Sequence, residues 1–459
     1  MKPLLYNDEG IMKVTVIGGG GYVGLVTAVG LARLGHQVVG VDVNRQIVDV
    51  LSSGKSPIYE EGLEELLGKV LVESSLRFTT NIADGVSAAQ VVLVAVGTPP
   101  HADGSPDLTA LRSVTVDLAR TIAPETIVAI KSTIPVGAVS EMQEAFKALG
   151  ALDIEIVSNP EFLSEGSAVN DFFHPNRIVV GTTSERARRV MRELYAPFLK
   201  DESAFPLASL DISRNVPLVE TSAESAQVIK YAANAFLATR VSFINEIAGI
   251  CEQLGADVAD VVEGLTMDPR IGHGYLSPGI GFGGPCLEKD LQALSYSAAI
   301  HGYQANFLDA TLRRNDDQIN HVVNRAIALC GGSVSGKRIG VLGLAFKAGT
   351  NDVRTSLSVR IIDRLYNLGA SIAMHDPVAM EEAQVLLPSI DPAMTPYAVA
   401  ENADLIMLLT DWPEYLVLDW SRISKMLRSK VVFDGRNALN PAICVAAGLR
   451  YYRVGKATS

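Results

Sequence analysis

The hydrophobic pattern changes period several times along the chain, and each change indicates a new element. From Lys13 the letters KVTVIGGGGYVGLVTAVGLARLGHQVVGVDVN read as a β-branched run, a glycine turn, a helical stretch closing near Gly35 and a second apolar run ending in Asp42. This order is typical of a strand–helix–strand unit. The other strand-like runs cover residues 91–96, 126–130, 154–158 and 177–181. These runs, separated by helix-length segments, predict a mostly parallel, doubly wound α/β sheet.

Two further patterns occupy the rest of the chain. From Val219 to about Leu265 the pattern is almost wholly helical, which predicts a long helix or helix pair that bridges the halves and dimerises. A second α/β pattern begins at Lys337. It contains a helix near residues 359–368 and strand-like runs at 371–375, 404–410 and 430–433. We therefore predict three regions, at residues 1–205, 206–305 and 306–459.

Composition narrows the possible partners and the compartment. The 39 Lys and Arg residues against 51 Asp and Glu give a net charge of −12, which disfavours nucleic acid as a partner. The 4 cysteines show no C-x-x-C spacing, so neither a zinc site nor a disulfide framework is expected. No apolar run reaches the ~18 residues of a membrane span, and no signal peptide is visible. We expect a cytoplasmic protein that binds no metal, no nucleic acid and no membrane.

The glycine turn matches a dinucleotide-binding fingerprint. Gly19, Gly21 and Gly24 give the spacing G-x-G-x-x-G directly after a strand, and Asp42 ends the next strand about twenty residues on. The glycines allow a tight turn, close approach of backbone amides to a pyrophosphate, and close packing of helix on strand. An acid at Asp42 accepts hydrogen bonds from a ribose diol and repels a 2′-phosphate. The pattern therefore predicts NAD rather than NADP, whereas the GVLGLAF turn at Gly340 lacks the third glycine.

A cysteine in a glycine-rich loop is the candidate nucleophile. Cys286 lies in GIGFGGPCLEKDL, after three glycines and a proline and before Glu288, Lys289 and Asp290. A nearby cation such as Lys289 favours the reactive thiolate. A thiol beside a dinucleotide predicts oxidation through a thiohemiacetal and a thioester. The other cysteines, Cys251, Cys330 and Cys444, lie in apolar or helical segments and are interpreted as packing residues.

Ordered motifs from about Lys13 to about Asn437 resemble the UDP-glucose/GDP-mannose dehydrogenase family. The motifs are GGGYVG, PIYEEGL, VGTPP, KSTIPVG, SNPEFLSEG, AESAQVIKYAANAFLATRVSFINE, GFGGPCLEKD and LGLAFKAGTNDVRTS. The resemblance implies two Rossmann-like doubly wound domains joined by a long central helix, the first binding NAD and the last a UDP-sugar. It also implies a homodimer. The implied reaction is oxidation of the C6 alcohol of UDP-glucose to a carboxylate with two NAD, a step toward polysaccharide biosynthesis.

The resemblance assigns roles residue by residue. Cys286 matches the nucleophile, Asp290 a carboxylate that orients water, and Lys230 and Asn234 a catalytic lysine and its partner, four residues apart on one helix face. Thr133 and Glu161 match the residues that order the hydrolytic water and act as general base. The cofactor contacts implied are Gly19, Gly21, Tyr22, Val23, Gly24, Asp42, Arg45, Thr98, Thr133 and Glu165. The substrate contacts implied are Phe162, Leu163, Lys230, Asn234, Arg270, Phe282, Gly283, Lys347 and Arg354, with Arg270 reaching from the partner subunit.

Two departures from the family pattern surround the nucleophile. Pro285 stands where the family usually has serine, which removes a backbone N–H and restricts Gly284. Glu288 replaces a frequent proline and adds a negative charge near the thiol. GDP-mannose or another nucleotide sugar is the alternative substrate. A catalytically silent nucleotide-sugar-binding protein is the alternative of another class, and the joint presence of the proposed catalytic residues argues against it.

Overall fold

A computed structural model describes residues 10–199 and 211–457 of the chain. The chain divides into two compact units, Met1–Ala233 and Asn234–Ser459. The predicted boundary near residue 205 lies outside the described residues. The division into three regions stays a prediction.

Within the described residues the first unit contains an eight-stranded sheet. Its strands are β1 (Lys13–Ile17), β2 (Gln37–Val41), β3 (Leu76–Thr79), β4 (Val91–Val94), β5 (Ile127–Ile130), β6 (Glu155–Ser158), β7 (Ile178–Gly181) and β8 (Leu218–Thr221). They lie in the order β3-β2-β1-β4-β5-β6-β7-β8. All neighbours pair in parallel except β6 and β7, which are antiparallel. The order reverses between β1 and β4, where open α/β sheets form a crevice for ligands.

Helices cover both faces of this sheet. They are α1 (Tyr22–Arg33), α2 (Arg45–Ser52), α3 (Leu63–Val72), α4 (Ile82–Val86), α5 (Thr109–Thr121), α6 (Ala138–Ala148), α7 (Ala168–Phe173), α8 (Glu185–Leu194), α9 (Ala196–Leu199) and α10 (Ala223–Leu254), which contains the boundary between the units. Strand β4 shows the layering, because Val91 and Leu93 join one core cluster while Val92 and Val94 join another. Burial on both faces explains why this strand is continuously apolar rather than alternating.

The second unit contains a smaller parallel sheet. Its strands are β9 (Arg338–Leu342), β10 (Ser371–His375), β11 (Asp391–Pro392), β12 (Leu405–Leu408), β13 (Val431–Asp434) and β14 (Arg450–Arg453), in the order β11-β10-β9-β12-β13-β14. Its helices are α11 (Val258–Thr266), α12 (Leu287–Ile300), α13 (Asn306–Leu329), α14 (Leu357–Asn367), α15 (Met380–Leu386), α16 (Pro413–Leu416), α17 (Trp420–Met426) and α18 (Pro441–Ala446). The predicted fold class, two Rossmann-like units with a long helix between their sheets in sequence, is confirmed.

The predicted helical segment from Val219 was wrong at its start. Val219 lies in β8 and pairs with Val179 of β7, and the helix begins at Ala223. The β-branched residues of β8 complete the edge of the sheet, a long-range pairing that overrides the local helical pattern. The segment is also interrupted at Gly255, which has φ +74°, before Asp257 caps α11. Strands β3, β8, β11 and β14 were not predicted.

Gly24 sets the distance between α1 and the turn that follows β1. A Cβ atom at Gly24 would lie 2.0 Å from the carbonyl oxygen of Gly18, far inside contact distance. Gly68, in the middle of α3, has no atom within 4 Å of the same position. There is therefore space for a side chain at Gly68 in α3 but not at Gly24 in α1.

We predict that Gly24→Ala lowers the melting temperature and that Gly68→Ala does not. The added methyl at Gly24 forces the helix away from the turn at a cost of about 1–3 kcal/mol. Alanine at Gly68 instead gains about 0.5–1 kcal/mol of helix propensity. Calorimetry on both variants measures the difference. Equal melting temperatures would contradict the packing argument.

Candidate active site

The turn after β1 has the geometry of a phosphate cradle. Gly18, one residue before the predicted fingerprint, takes the left-handed conformation with φ +80°. A Cβ on Gly19 would lie 2.9 Å from the Cα of Gly40, so this position also needs glycine. Helix α1 then starts with Gly21 as its N-cap, and no described side chain caps it. Its first-turn amides can therefore donate to an anion, and the partial positive charge of the helix end suits a pyrophosphate.

Asp42 lies where the sequence places the ribose acceptor. The carboxylate follows β2 and accepts hydrogen bonds from the N–H of Gly20 and of Asn44, both at 3.0 Å. These bonds orient the side chain toward the turn while leaving it partly exposed. The glycine cradle and this acid together fit NAD, and the fit rests on backbone positions that side chains would fill. Arg45, another predicted contact, is exposed and pairs with Asp49 at 3.0 Å.

Two loops after neighbouring strands are joined beside this turn. Thr98, which is buried, donates its hydroxyl to the carbonyl oxygen of Thr133 at 2.9 Å. Ser132 donates to the carbonyl oxygen of Val96 at 2.7 Å. The carboxyl ends of parallel strands β4 and β5 therefore carry one connected surface. It brings together the predicted residues Thr98 and Thr133.

A buried ion pair forms the centre of the first unit's chemistry. Lys230 on α10 donates to Glu161 after β6 at 2.9 Å, with side-chain exposures of 5% and 8%. Burial raises the pKa of Glu161, but the charge and hydrogen bond of Lys230, the N–H of Leu163 and the charge of Lys131 together bring that pKa below its ordinary value. Glu161 is therefore an anion and Lys230 a cation. Such a pair holds a proton donor and a proton acceptor within one hydrogen bond.

The residues next to Glu161 extend this charged centre. The ring of Phe162 lies 3.5 Å from the guanidinium carbon of Arg177 and 5.4 Å from the ammonium of Lys230. Leu163 donates its N–H to the carboxylate of Glu161. Glu165, two residues further, is half-buried in the same loop. The first unit thus groups Glu161 with Phe162, Leu163 and Lys230.

The second unit positions Cys286 at the end of a tightly packed glycine loop. The thiol is exposed and occupies the N-cap of α12. Three glycines precede it, and Gly281 and Gly284 have positive φ. A Cβ at any of the three would lie too close to a neighbouring atom. The distances are 2.5 Å to Asn315 from Gly281, 2.8 Å to the Thr355 carbonyl oxygen from Gly283, and 2.6 Å to Phe346 from Gly284. The backbone of the loop therefore lies directly against the neighbouring elements.

Hydrogen bonds fix the same loop from two sides. Asn315 accepts from the N–H of Phe282 at 2.8 Å and donates to its carbonyl oxygen at 2.9 Å. Thr355 donates to the carbonyl oxygen of Gly284 at 2.7 Å. The side chain of Phe282 is buried among Ala235, Ala238 and Leu291 rather than exposed. The loop has few ways to move, which keeps Cys286 in one place.

Asp290 is a buried carboxylate held by two donors. It is 1% exposed and accepts from the amide of Asn234 at 2.6 Å and from the ammonium of Lys289 at 2.5 Å. Lys289, which was predicted to support the thiolate, pairs with Asp290 in the structure, and its effect on the thiol stays a prediction. Burial is the main cause that raises the pKa of Glu288, with Asp316 adding to it and Arg360 opposing it. Its charged neighbours are thus on α13 and α14.

The predicted substrate cations of the second unit lie near its surface. The ammonium of Lys347 lies 5.7 Å from the ring of Phe346. The guanidinium groups of Arg354 and Arg270 bind the nearby carboxylates of Asp352 and Asp268, and both arginines are exposed. The side chains of Arg354 and Arg270 are 65% and 88% exposed, so both guanidinium groups reach solvent beside their carboxylate partners.

The remaining cysteines differ from Cys286 in their surroundings. Burial raises the pKa of Cys444 to about 11, and burial is also the main cause that raises the pKa of Cys251 and of Cys330. A thiol with a raised pKa stays protonated and is a poor nucleophile. This contrast supports the interpretation of these three as packing residues.

Several residues of these clusters were missed by sequence reasoning. Lys131 begins the KSTIPVG motif, and Arg177 follows the SNPEFLSEG motif. The sheet order brings Lys131 near Glu161 and Arg177 near the ring of Phe162, and local sequence does not show either contact. Arg436 is partly buried and donates to the carbonyl oxygens of Leu409 and Phe346, at 2.6 and 2.8 Å. Arg436 could have been predicted from its position, because it follows β13 at the carboxyl edge of a parallel sheet, where functional residues are common.

The described residues contain neither a candidate membrane span nor a candidate metal site. No described helix is both long and apolar enough to cross a bilayer. No group of three or more His, Cys, Asp or Glu side chains among the described residues could hold a metal ion.

Comparison with known proteins adds the family context. Three models of the UDP-glucose/GDP-mannose dehydrogenase family match the chain, the NAD binding domain over residues 12–199, the central domain over 224–317 and the UDP binding domain over 340–441. The chain is 39% identical to UDP-glucose 6-dehydrogenase TuaD of Bacillus subtilis over 450 residues, 97% of this chain and 94% of that protein. It is 38% identical to UDP-glucose 6-dehydrogenase of Rhizobium meliloti over 449 residues, 97% and 100% of the two chains.

A solved structure shares the whole fold. The UDP-glucose dehydrogenase of the hyperthermophilic archaeon Pyrobaculum islandicum superposes with a TM-score of 0.88 at 36% identity, covering 99% of this chain and 100% of that chain. The likeness therefore extends over both sheets and α10.

We predict that Lys230→Met destabilises the protein more than Lys230→Met combined with Glu161→Gln. The single change leaves a buried carboxylate without its partner, at a cost of about 3–5 kcal/mol at pH 7. Burial then dominates and raises the pKa of Glu161 above its unfolded value, so the loss shrinks as pH falls and the carboxylate takes up a proton. Urea unfolding at pH 7 and pH 5 measures both effects.

Lys69→Met is the matched control for this prediction. Lys69 pairs with Glu65 at 2.6 Å on the exposed face of α3, where solvent screens the pair and its loss should change stability little. A single variant no less stable than the double variant would contradict the role assigned to the buried pair.

Proposed function

This chain belongs to the UDP-glucose/GDP-mannose dehydrogenase family, and we propose that it oxidises UDP-glucose at C6 to UDP-glucuronate. The balanced reaction consumes two NAD⁺ and one water and yields two NADH and three protons per sugar. The observation that carries the proposal is the joint presence of an NAD cradle, the buried Glu161–Lys230 pair and an exposed Cys286 in a rigid loop.

NAD, when bound, accepts a hydride in each of the two oxidations. The residues that hold it are those of the glycine turn, Asp42 on the ribose, and Thr98, Thr133 and Glu165 at the edge of the sheet. Tyr22, Val23 and Arg45 complete the proposed cofactor contacts. The first-turn amides of α1 bind the pyrophosphate, since they have no described side-chain cap.

Lys230 acts on the sugar oxygen in the first oxidation. The C6 alcohol would pass its proton through a bound water to Glu161 as its hydride leaves, and the ammonium of Lys230 would stabilise the negative charge that develops on the oxygen. Glu161 keeps Lys230 charged because the two groups share a buried hydrogen bond. Lys230 has three N–H donors, so it binds Glu161 and an oxyanion at the same time.

Cys286 then forms a covalent intermediate. The thiolate sulfur adds to the aldehyde carbon, forming a C–S bond and a thiohemiacetal oxygen that Lys230 stabilises. Loss of the second hydride from that carbon gives a thioester. The rigid glycine loop keeps the sulfur in one position through both steps, so its orientation is settled before the reaction starts.

Water completes the reaction by hydrolysis of the thioester. Asp290 and Thr133 orient the water, and Glu161 accepts its proton as the C–O bond forms and the C–S bond breaks. Asn234 and Lys289 donate to different oxygens of the Asp290 carboxylate, which fixes its orientation. The products are a carboxylate and a regenerated thiol.

The nucleotide part of the substrate needs cations and a planar pocket. We assign the pyrophosphate to Lys347 and Arg354, since arginine and lysine match phosphate oxygens. Gly283 and Phe282 contribute backbone contacts, because the Phe282 ring is buried. Phe162 and Leu163, beside Glu161, line the sugar end.

The chemistry also fits a reducing compartment. All four cysteines are free, and the mechanism requires Cys286 to stay reduced between turnovers. A cytoplasmic location supplies that condition and the nucleotide sugars. The uronate product is an anionic sugar donor suited to polysaccharide synthesis.

We predict that the protein forms two NADH per UDP-glucose and works poorly with GDP-mannose. The assay is NADH absorbance with a panel of UDP- and GDP-sugars in limiting amounts. A yield of one NADH per sugar, or a preference for a GDP-sugar, would contradict the proposal.

The same assay tests the covalent step with Cys286→Ser. An oxygen ester hydrolyses less readily than a thioester, so turnover stalls at the acyl-enzyme and mass spectrometry detects a uronyl adduct on the introduced serine. Cys330→Ser, at the half-buried end of α13, is the matched control and keeps full yield. Two NADH per sugar at unchanged rate in the Cys286→Ser variant would return this cysteine to a packing role.

We also propose that two copies of the chain form a homodimer through the second unit. A groove of about 660 Å³ is lined by apolar and basic side chains there. Phe236, Phe243 and Phe307 are 61%, 49% and 68% exposed, unusual for large aromatic residues clustered on one surface. Arg270 lines the same groove, which supports its predicted reach into the partner's site.

We predict that Phe243→Glu separates the dimer into monomers. A charge in the apolar groove is left unpaired when a second copy packs against it. Light scattering reports the mass, expected near twice 48.9 kDa for the unmodified chain and near 48.9 kDa for the variant. Val417→Glu, at an 83% exposed apolar site elsewhere in the unit, should stay dimeric. A monomeric, fully active unmodified protein would rule out the shared site.

A further inference from the structure

One motif of the sequence, PIYEEGL, has no role in the mechanism above. Its residue Glu60 is only 7% exposed, although it lies in the loop between α2 and α3. Its neighbours Tyr59 and Glu61 are exposed. A buried carboxylate between two exposed polar residues needs specific partners, because burial of an ionised group without them is costly.

Glu60 finds those partners on two other parts of the first unit. Tyr22, the first residue of α1, donates its hydroxyl to the Glu60 carboxylate. The N–H of Gly166 lies 2.7 Å from the same carboxylate oxygen and 2.8 Å from the Tyr22 hydroxyl. The N–H of Val169, in the first turn of α7, lies 3.4 Å from the other oxygen. The three segments meet at one carboxylate.

Residues 161–166, here called the 161–166 loop, are therefore held at both ends by carboxylates. At the first end Glu161 accepts the N–H of Leu163 and the ammonium of Lys230. At the far end Glu60 accepts the N–H of Gly166. Glu165, the proposed NAD contact, lies between these two anchors. Its position depends on both.

We propose that Glu60 is a positioning residue for the reaction, which ties the 161–166 loop to the start of α1 and so holds Glu165 and Glu161 in register with the NAD-binding turn. The inference rests on the proposed function of that loop. It assigns to the PIYEEGL motif a role that neither the glycine fingerprint nor the ion pair supplies. Glu60 touches neither cofactor nor reacting atoms in this role; it acts through Tyr22 and Gly166.

A carboxylate suits this position better than an amide. Both oxygens of Glu60 accept, and the three donors are two backbone N–H groups and a hydroxyl. A glutamine offers one accepting oxygen, and its NH₂ group would face at least one of these donors. Negative charge is also favourable at the N-terminal turn of α7.

We predict that Glu60→Gln raises the KM for NAD about tenfold and lowers kcat/KM for NAD by about 10- to 100-fold. The reason is that a freed loop end displaces Glu165 while the glycine cradle stays intact. Kinetics are measured well below the melting temperature of each variant, so a loss of fold stability alone does not change them. The KM for UDP-glucose should change less than the KM for NAD.

Tyr22→Phe and the double variant complete a thermodynamic cycle. Tyr22 and Glu60 act in one network, so their effects on kcat/KM for NAD should combine to less than the product of the two single effects. Glu61→Gln and Tyr59→Phe are matched controls, since they make the same chemical changes at exposed neighbours. Kinetic constants of Glu60→Gln equal to those of Glu61→Gln would overturn the proposal.

A binding measurement separates this inference from the proposed function. NADH affinity is measured by fluorescence titration without any sugar, for the unmodified chain, Glu60→Gln and Glu61→Gln. A weakened affinity only in Glu60→Gln supports the positioning role even if UDP-glucose proves not to be the substrate. Equal affinities in all three overturn it, whatever the substrate.

Discussion

The candidate site of the first unit depends on keeping two opposite charges out of water. Glu161 and Lys230 are almost fully buried, and each would be costly alone. The sheet supplies the condition that makes the pair favourable, because the loop after β6 presents Glu161 and the N-terminal half of α10 presents Lys230. Two further groups, the N–H of Leu163 and the charge of Lys131, stabilise the anion. The loops around the pair therefore have little freedom to rearrange.

Local chemistry was predictable from the sequence. The glycine turn and Asp42 meet in the structure as their spacing predicted, and Cys286 lies at the end of the glycine loop, while the roles of these residues stay predictions. The register of the turn was less certain, because four consecutive glycines look alike. The structure gives the left-handed conformation to Gly18 and the crowded position to Gly24, a distinction made by the surrounding backbone.

Contacts between distant segments were not predictable in the same way. Asn315 holds the nucleophile loop from 33 residues away, and Glu60 reaches Gly166 from 106 residues away. Strand β8 was interpreted as helix because its pairing with β7 is invisible to a local pattern. In each case the deciding partner is set by sheet order, and the sequence around the residue carries no periodic signal of it.

The two units share one hydrogen-bond arrangement but differ in whether its carboxylate can also bind a ligand. In each, an acid after the second strand of the α/β pattern accepts backbone N–H groups from the turn after the first strand, Asp42 from Gly20 and Asp376 from Leu344 and Ala345. Asp376 also accepts the indole N–H of Trp412 and the N–H groups of Val378 and Ala379, and it is 1% exposed, so no lone pair remains for a ribose. Asp42 accepts from two backbone N–H groups and is partly exposed, so lone pairs remain on its carboxylate. The difference gives a physical reason for expecting one NAD at a time per chain, in the first unit, and it leaves the second unit's cleft to a different nucleotide.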